Sequence, residues 1–485
     1  MAASTASKIL ALLGNIDTFQ DPVGQIWAAL PVNGHTEYQA VRSRAFRAWV
    51  AQTYYRKTGQ TAGTSAIEDV LNVVIAQALE KPPRRVFIRV AHDDGKIFID
   101  LANPDRDIIE IDDKGWRIVK NCPVAFRRPR GMLPLPAPKE YGDLSEIRLF
   151  ANLPDDDSLM LLMGWIVGAV GENAYPVLIL NGEQGSGKST LAVMLKRLID
   201  PNEADSRAAP RDEQNLTIAA NNQWVVSLDN LSSISDWLSD GLCRLSTGQG
   251  WGTRELYEDT EEIIIKTRRP VILNGITNLV TRGDLLSRSI ILNLPEITPL
   301  QRRTEFELWR SFETSRPYLF GAICDAAAGA LARLESTTFD TYPRMADFAR
   351  WVEAAAPSFG WEWGDFLRVY GEHGELQNQI ALDFSVVGSE ILAFAQKKRQ
   401  WVGSAVELLE QLQMQTAATP AQDRFNRMTP KALADELRRL APLLRTSGVA
   451  VMMDGKVRWV NGRSIRPIEI SLLSMGGGVN VNVMP

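Results

Sequence analysis

The amino-acid sequence predicts a multidomain α/β protein, and three features along its 485 residues indicate that class. Short apolar runs alternate with helix-like stretches between residues 144 and 300, which is typical of a parallel sheet connected by helices. Residues 84–119 alternate apolar and polar side chains around turns that contain Asp and Gly. Residues 397–470 place two helical stretches before two apolar strands joined by Asp454-Gly455, which is the order of a winged helix. We therefore expect a central α/β core between an α+β N-terminal domain and a winged-helix-like C-terminal domain.

The composition excludes several classes of protein. Apolar residues make up 45% of the chain and charged residues 23%, as in ordinary globular proteins. The net charge is −5, so any contact with nucleic acid must be local. Three cysteines and three histidines are too few for a disulfide framework or a histidine-based metal centre. The longest apolar run, residues 159–170, is shorter than the roughly 18 residues that span a bilayer. We expect a cytoplasmic protein without a membrane partner.

Turn and linker signals divide the chain into five regions. Residues 1–80 have apolar residues at helical spacing and are predicted to be mostly helical, up to Pro82-Pro83. Two hairpins follow, with turns at Asp93–Gly95 and Asp112–Gly115, and the proline-rich residues 133–143 are predicted to be a linker. The predicted regions are an N-terminal α+β domain with its linker (1–143), the core (144–300), a helical region (301–396), the winged-helix-like domain (397–470) and a tail (471–485).

A phosphate-binding loop is the strongest motif in the sequence. A buried-strand run, residues 176–180, precedes it and an amphipathic helix, residues 191–199, follows it, so a chance glycine-rich turn is a poor explanation. The loop does not match the dinucleotide-binding motif, because the third glycine of that motif is absent. In such a loop, backbone N–H groups surround phosphates, Lys188 reaches the β- and γ-phosphates and Ser189 binds Mg²⁺. The predicted nucleotide-binding residues are Gly182, Glu183, Gln184, Gly185, Ser186, Gly187, Lys188, Ser189 and Thr190.

Two polar residues end the next apolar strand, residues 224–228. Asp229 is predicted to hold the Mg²⁺ shell, although a carboxylate that only caps the strand end fits the same pattern. The following position, Asn230, is where a glutamate commonly activates water. Because an amide cannot accept a proton, Asn230 either orients the water or leaves that role to another residue, and hydrolysis is expected to be slow.

Two further candidates lie at later strand ends. Residues 270–274 form a third buried strand that ends at Asn274, which is placed to contact attacking water or the γ-phosphate. Arg288 stands just before the strand at residues 290–294, as an arginine finger for a neighbouring subunit would. A surface ion pair is the alternative for Arg288 alone, and the preceding motifs favour the finger.

These motifs, in this order across residues 175–295, resemble the AAA+ core of superfamily 3 helicases, in particular the ATPase half of primase–helicases of phages and mobile elements. The stretch that ends at Arg288 is also similar to the finger motif of minichromosome maintenance helicases. The resemblance implies a P-loop ATPase core, ATP and Mg²⁺ as cofactors, a homo-hexamer with Arg288 acting in trans, and single-stranded or forked DNA as substrate. It also implies a separate primase as a possible partner, since the chain shows no convincing primase centre.

One segment departs from that family. Residues 245–257 are similar to the lead-in to the family's DNA-gripping hairpin, but the expected basic tip is acidic here, at residues 258–262. Acidic side chains repel phosphate, so the flanking Arg254 and Lys266, with Arg268 and Arg269, are the candidate DNA contacts, and a solvated hairpin face is the alternative. The acidic tip and Asn230 favour a rival function: a non-unwinding ATPase switch, such as a DNA-binding regulator, loader or defence factor.

The C-terminal region has a local excess of positive charge. Residues 397–466 contain 13 Lys and Arg against 6 Asp and Glu, in a chain that is acidic overall. This excess predicts contacts with DNA phosphates, and a solvated basic domain or a protein-binding wing is the alternative. A smaller basic cluster, residues 127–130, is a second candidate. The predicted DNA-binding residues of the C-terminal domain are Arg438, Arg439 and Arg445 on a helix, and Lys456 and Arg458 on the wing.

Overall fold

The computed structural model describes residues 4–473 apart from 15, 33, 250, 255–261, 266, 276–278, 281, 418, 454 and 461–462. At residues 251–254, 262–265, 384, 460 and 463 it describes the backbone alone. The described helices and strands form several sheets and many helices, so the prediction of a mixed α/β, multidomain protein is confirmed. Among the described helices, none is both long and apolar enough to cross a bilayer.

The first 80 residues form a small α+β unit. Its elements are α1 (Thr5–Leu13), β1 (Asp17–Gln20), β2 (Ile26–Val32), β3 (His35–Ala40), α2 (Arg44–Thr58) and α3 (Thr64–Leu79). The mostly helical prediction is wrong for residues 17–40, which form the antiparallel sheet β1-β2-β3. Asn33-Gly34 is a hairpin signal between two of these strands. The sequence of β3 is polar, however, and lacks the alternation of apolar residues that predicts a strand. The unit has its own hydrophobic core around Phe46 and Val74.

Two hairpins follow and form a four-stranded antiparallel sheet of β5 (Val90–Asp93), β6 (Lys96–Asp100), β7 (Ile108–Asp112) and β8 (Gly115–Val119). Two short strands flank it along the chain, β4 (Val86–Phe87) and β9 (Ala125–Phe126). The predicted turns join β5 to β6 and β7 to β8. Asp94 and Gly95 have φ values of 48° and 70°, which are those of a two-residue hairpin turn. β4 instead pairs in parallel with β9.

The core sheet is parallel and has the strand order β11-β14-β10-β15. Parallel strands meet with their carboxyl ends at one edge, where the phosphate loop, Asp229 and Asn274 follow their strands. The elements are α4 (Asp156–Gly168), β10 (Val177–Gly182), α5 (Lys188–Ile199), α6 (Glu213–Asn222), β11 (Val226–Leu231), α7 (Asp236–Thr247), β12 (Trp251–Arg254), β13 (Glu262–Ile265), β14 (Val271–Gly275), α8 (Gly283–Leu286) and β15 (Ser289–Leu294).

Four long helices follow the sheet: α9 (Glu305–Arg333), α10 (Ala346–Ala355), α11 (Asp365–Phe384) and α12 (Val386–Lys398). The proline-rich residues 133–143 lie against α9 and do not form a free tether. Lys139 N–H donates to the Pro317 carbonyl at 2.9 Å. A Cβ at Gly142 would lie 1.9 Å from the Tyr318 carbonyl oxygen, and one at Gly321 would lie 1.8 Å from that of Lys139. Only glycines permit this close approach of the two backbones.

The C-terminal domain contains a three-stranded sheet of order β16-β20-β17. Its elements are β16 (Gln400–Gly403), α13 (Ala405–Gln415), α14 (Gln422–Arg427), α15 (Pro430–Thr446), β17 (Val449–Met452), β18 (Arg458–Val460), β19 (Arg463–Ile465) and β20 (Ile468–Leu472). The predicted pairing of 449–453 with 456–460 is wrong. β17 pairs with β20, and β18 and β19 form a separate two-stranded hairpin between them, which we call the wing. The Asp454 of the predicted turn and most of the predicted tail, 474–485, lie outside the described residues.

The two faces of the core sheet belong to two different hydrophobic clusters. Leu178 and Leu180 of β10 face a cluster that includes the β5–β8 sheet, α4, α9 and α10. Val177 and Ile179 alternate with them and face a cluster that continues into the C-terminal domain, through Leu433 and other residues of α15. Such alternation is expected of a strand buried on both sides. The C-terminal domain is thus packed into the core.

Buried charged side chains also connect the region of the four-stranded sheet β5–β8 to the core. The Asp200 carboxylate follows α5 and receives hydrogen bonds from Arg89 Nε at 3.1 Å and Lys196 Nζ at 2.6 Å. Burial alone raises a carboxyl pKa, but these two cations lower the pKa of Asp200 to about 2. Burial in turn lowers the pKa of Arg89 and Lys196. The N–H groups of Trp224 and Val225, just before β11, also donate to Asp200, which ties α5 to the aspartate-bearing strand.

Candidate nucleotide site and nucleic-acid interface

The phosphate loop joins β10 to α5 at the carboxyl edge of the core sheet. Gly185 and Gly187 have φ values of 87° and 88°, in the left-handed region that side chains other than glycine rarely adopt. Ser186 between them is buried, and α5 begins at Lys188. The first N–H groups of a helix have no partner within the helix and carry partial positive charge, so the start of α5 suits an anion.

The Lys188 ammonium group lies at the loop's mouth. Its Nζ donates to the carbonyls of Gly182 at 2.8 Å and Glu183 at 2.6 Å, and approaches Ser186 Oγ at 3.3 Å. Partial burial lowers the pKa of Lys188, and the nearby Asp229 charge opposes that shift. A cation held at this point faces the position that phosphate groups take in loops of this kind.

Three oxygen- and amide-bearing side chains meet next to the loop. Ser189 Oγ donates to Asp229 Oδ1 at 3.0 Å, and Asn274 Nδ2 lies 3.4 Å from Ser189 Oγ. They meet because β14, which contains Asn274 near its carboxyl end, lies between β10 and β11 in the sheet. The hydroxyl and carboxylate are ligands that Mg²⁺ prefers. The structure therefore brings together four predicted site residues, Lys188, Ser189, Asp229 and Asn274.

Asn230 occupies an unusual backbone conformation beside this cluster. Its φ is 56°, and its N–H donates to Asn274 Oδ1 at 2.7 Å. Asparagine tolerates the left-handed region better than most residues because its short amide bonds locally. The Asn230 side chain is exposed at the carboxyl edge of the sheet, and, being an amide, it cannot serve as a base.

Arg288 lies at the opposite edge of the sheet from the phosphate loop. Its carbonyl accepts from the Val177 N–H at the amino end of β10, and its Nη1 donates to the Asp284 carbonyl at 2.8 Å. The loop begins at Gly182, five residues along the same strand, which corresponds to about 17 Å. Arg288 is therefore too far from the phosphate loop of its own subunit to reach a bound γ-phosphate.

A second arginine, Arg344, lies near Arg288. Burial and the neighbouring Arg288 charge lower the pKa of Arg344. Within the described part of the chain, neither arginine has a carboxylate within ion-pair distance, whereas Arg282 nearby pairs with Asp240 and Asp284. Sequence reasoning missed Arg344, because it stands far from Arg288 along the chain and carries no motif.

The candidate DNA-gripping hairpin is present as a backbone element. β12 and β13 pair in antiparallel register, with Arg254 opposite Glu262 at the end described. The acidic tip at 258–261 and Lys266 lie outside the described residues, and the Arg254 side chain is not described. Arg269 has a structural role: its Nε donates to the Ala220 carbonyl and its guanidinium lies over the Trp224 ring.

The basic cluster at 127–130 is largely engaged within the fold. Arg127 donates to the Asn221 carbonyl, and burial lowers its pKa. Arg128 makes a 2.6 Å ion pair with the buried Asp100. Arg127 thus links the β-rich region to the core and Arg128 is paired within the β-rich region, so the placement of these two side chains does not support a DNA contact there.

A basic stripe runs along α15 in the C-terminal domain. Lys431, Arg438 and Arg445 are seven residues apart, so they share one face of the helix, and all three are exposed. Arg438 also pairs with Asp435 at 2.5 Å. The opposite face of α15 is buried, with Leu433, Leu437, Leu440 and Leu444 in the core. Lys431 was missed, although its heptad spacing from Arg438 was a visible signal.

Arg439 lies apart from this basic stripe. It lines a cavity of about 710 Å³ between the core sheet, α11 and α15, together with Arg282, Arg344 and Glu436. On the wing, Arg458 pairs with Glu469 of β20 at 2.9 Å, and Lys456 is exposed. The five predicted C-terminal residues are therefore distributed over a helix face, a cavity wall and a hairpin.

The fold and site together define a class: a multidomain α/β protein with a phosphate-loop motif on a parallel sheet and a basic C-terminal domain. Residues 145–360 match the family model described as the actinomycete integrative conjugative element replication protein, RepA. Residues 387–474 match the model of the RepA C-terminal domain from the same elements. The two models together match more than half of the chain, and these regions belong to a replication protein of a mobile element.

Comparison with other known proteins adds little. No curated protein matches the sequence. Among solved structures, the A-form apo structure of the NrS-1 C-terminal region is similar over 97% of this chain and 99% of its own, with 14% identity and a TM-score of 0.44. A second apo structure of that region, spanning its residues 305–718, has the same coverage and identity and a TM-score of 0.40.

Proposed function

We propose that this replication protein is an ATP-dependent DNA helicase of superfamily 3 type, with an AAA+ core that assembles into a ring. The observation that supports the proposal best is the meeting of Lys188, Ser189, Asp229 and Asn274 at one edge of the sheet. The two matches to a mobile-element replication protein support a role for this activity in DNA replication.

The residues at the carboxyl edge fit a magnesium nucleotide. Bound ATP and Mg²⁺ would supply the phosphoryl bond whose cleavage releases energy. Lys188 would neutralise the β- and γ-phosphates, while Ser189 and Asp229 would hold the Mg²⁺ shell. Asn274 already bonds to both Ser189 and Asn230, so it would orient a water molecule next to them. Electrostatic positioning of this kind accounts for most of the catalysis of phosphoryl transfer.

The opposite edge fits the interface between two subunits. Arg288 and Arg344 would meet the γ-phosphate bound by a neighbour, since Arg288 cannot reach its own. Repeated around a closed ring, each subunit would bind one nucleotide and complete the next site. A homo-hexamer is the ring that the resemblance to superfamily 3 implies.

The C-terminal domain would carry the main DNA contacts, through the stripe of Lys431, Arg438 and Arg445. Phosphate contacts release counterions, so each lysine or arginine contributes about 0.9 to the salt slope on duplex DNA. Replacing the three stripe residues by alanine should lower affinity for DNA and reduce the slope by about two to three. A matched control replaces three exposed basic residues elsewhere, Arg56, Arg85 and Lys114. Equal losses in both variants would contradict the assignment, because only net charge would then matter.

A second function, an ATP-dependent switch that does not unwind DNA, is favoured by one observation. Asn230 takes the position next to Asp229 and supplies no base, so hydrolysis can be too slow to drive a motor. Such a protein would assemble on DNA when ATP binds and serve as a loader or regulator.

A strand-displacement assay on forked DNA separates the two functions. The purified full chain with ATP and Mg²⁺ should release the labelled strand, and the Lys188→Ala variant should not. ATP hydrolysis and DNA binding are measured on the same samples. If the wild-type protein binds DNA and hydrolyses ATP but releases no strand, the helicase proposal is wrong and the switch remains.

A further inference from the structure

We propose that Trp459, on the wing, stacks on an unpaired DNA base. The inference deepens the proposed function, since it requires DNA at the C-terminal domain, and it identifies the kind of DNA that the wing contacts. The wing is the hairpin of β18 and β19, and along the chain it follows β17 and precedes β20.

Trp459 presents a large aromatic surface that the fold does not use. Its exposed fraction is 76%, the highest among the tryptophans whose side chains are described. Within the described residues, Trp459 makes no ring contact and belongs to no hydrophobic cluster, whereas the ring of the exposed Trp363 lies 6.1 Å from that of Phe339 at a tilt of 50°. Val457, two residues before it, is 60% exposed, so an apolar strip lies on one side of the strand.

The charge around Trp459 indicates what covers this strip. Residues 455–467 contain four basic residues and no acidic one: Lys456, Arg458, Arg463 and Arg466. Arg458 adjoins Trp459 in β18, so the two side chains point to opposite sides of that strand. An aromatic ring beside positive charge matches a nucleotide, which offers a flat base and a phosphate within a few ångströms. The exposed Lys456 and Arg466, close to Trp459 in sequence, provide positive charge that a phosphate would bind.

An ion pair links the wing to the three-stranded sheet. Arg458 pairs with Glu469 at 2.9 Å, and Glu469 lies on β20 opposite Met452 of β17. In the backbone ladder, Trp459 is opposite Ser464, whose small side chain leaves the ring uncovered. A fixed aromatic platform loses little conformational entropy when a base binds to it.

The proposed occupant is an unpaired base, because both faces of a paired base are already stacked within the duplex. Single-stranded DNA offers a free π-face at every nucleotide, and such stacking is tolerant of sequence. Within the same C-terminal domain as the α15 stripe, Trp459 would contact the single-stranded part of the DNA.

Equilibrium binding of the full chain to three probes tests the proposal: a single-stranded oligonucleotide, a fork and a blunt duplex. Trp459→Ala should weaken binding to the single strand and the fork by about tenfold to a hundredfold, and to the duplex by less than about threefold. Trp459→Phe should restore most of the affinity. The salt slope should stay that of wild type in Trp459→Ala, because stacking releases no counterions. Trp363→Ala is the matched control and should bind all three probes normally.

The remaining outcomes each contradict the proposal. An equal loss on duplex and single strand would assign Trp459 to a groove contact. Normal binding to every probe, with a change in oligomeric state by sedimentation, would assign the wing to a contact between protein copies. ATP hydrolysis without DNA is measured alongside and should not change, so failure of stacking is distinguishable from failure of the ATPase proposal.

Discussion

Lys188 is the residue whose side chain has the clearest task at the proposed site. It folds onto two carbonyls of its own loop and adds nothing to a hydrophobic core, so its loss should spare the fold. We expect Lys188→Ala to reduce ATP hydrolysis by at least about a hundredfold, as when one preorganised donor is removed elsewhere. Steady-state phosphate release measures the effect, with circular dichroism to check folding. Lys81→Ala is the control, and turnover near wild type in Lys188→Ala would remove the phosphate-loop assignment.

Asn230 allows a gain-of-function prediction. If the cluster lacks only a base, Asn230→Glu should accelerate hydrolysis, since a positioned base contributes about 10²–10⁴-fold. The φ of 56° opposes the change, and a residue less suited to the left-handed region costs about 1–2 kcal/mol in stability. Asn230→Gln is the matched control, because glutamine has the same length as glutamate but carries no carboxylate. Slower hydrolysis in Asn230→Glu than in Asn230→Gln would mean that the amide itself positions the water.

At the level of single residues, the end of a strand determines where a side chain lies in the fold. Lys188, Asp229 and Asn274 follow apolar strands of the parallel sheet, so the sheet geometry alone brings them together. Arg344 could not be found this way, because its closeness to Arg288 results from the folding of helices that are distant in sequence. Lys431 could have been found, since it belongs to the same heptad row as Arg438 and Arg445.

Among the secondary-structure elements, those with local signals were predicted and those with distant partners were not. The turn of the first hairpin carries Asp94-Gly95, whose backbone preference determines the pairing of β5 with β6. β17 has no such local signal for its true partner: it pairs with β20, and the whole wing intervenes. The Asp454-Gly455 dipeptide suggested the wrong pairing because a turn signal specifies a reversal of the chain and says nothing about a more distant strand.

The hydrogen bond between His373 and β15 leads to a prediction about how stability depends on pH. Its Nε2 accepts a hydrogen bond from the Ile291 N–H at 3.0 Å, which links α11 to the edge strand β15. Since a backbone N–H only donates, this nitrogen must be unprotonated, and burial lowers the pKa of His373 to about 4. The unfolded chain takes up the proton near pH 6.5. Stability should therefore be complete above about pH 6.5 and fall as the pH drops from there toward 4, by at most about 3 kcal/mol.

Denaturant unfolding at a series of pH values checks this expectation. His373→Gln, which can still accept the hydrogen bond but does not titrate, should show a smaller loss of unfolding free energy over that pH range. His35→Gln serves as the control, because His35 lies near Glu37 on the N-terminal unit. Other buried groups, including His92, titrate equally in all three proteins, so only the difference between them counts. Identical pH profiles for wild type and His373→Gln would contradict the assignment.

For the molecule as a whole, the packing of the C-terminal domain limits which experiments are informative. The domain shares a hydrophobic cluster with one face of the core sheet, through residues such as Val177 and Leu433. Deleting residues 397–485 would expose that face and reduce stability for reasons unrelated to DNA. Substitutions at the exposed stripe and at Trp459 avoid this problem.

The proposed assembly into a ring is a property of the whole molecule, and a substitution at Arg288 can test it. Because Arg288 lies about 17 Å along the sheet from its own phosphate loop, Arg288→Ala should leave ATP binding nearly intact. Hydrolysis should fall by about 10³-fold or somewhat less, since fingers contribute about 10³–10⁵ and Asn230 already slows the chemical step. Labelled-nucleotide binding and phosphate release measure the two effects. Arg282→Ala, an arginine paired with Asp240 and Asp284, is the control for loss of a nearby cation.

Mixing two inactive variants makes the test decisive. In a ring that contains Arg288→Ala and Lys188→Ala subunits, some interfaces pair the intact phosphate loop of the former with the intact arginine of the latter. Activity should therefore return on mixing and reach its maximum near equal proportions. An arginine that acts within its own subunit, or only stabilises the fold, leaves every interface defective in such a mixture. Activity that stays at the level of the separate variants at every ratio would exclude the trans finger, and with it the main physical argument for a ring.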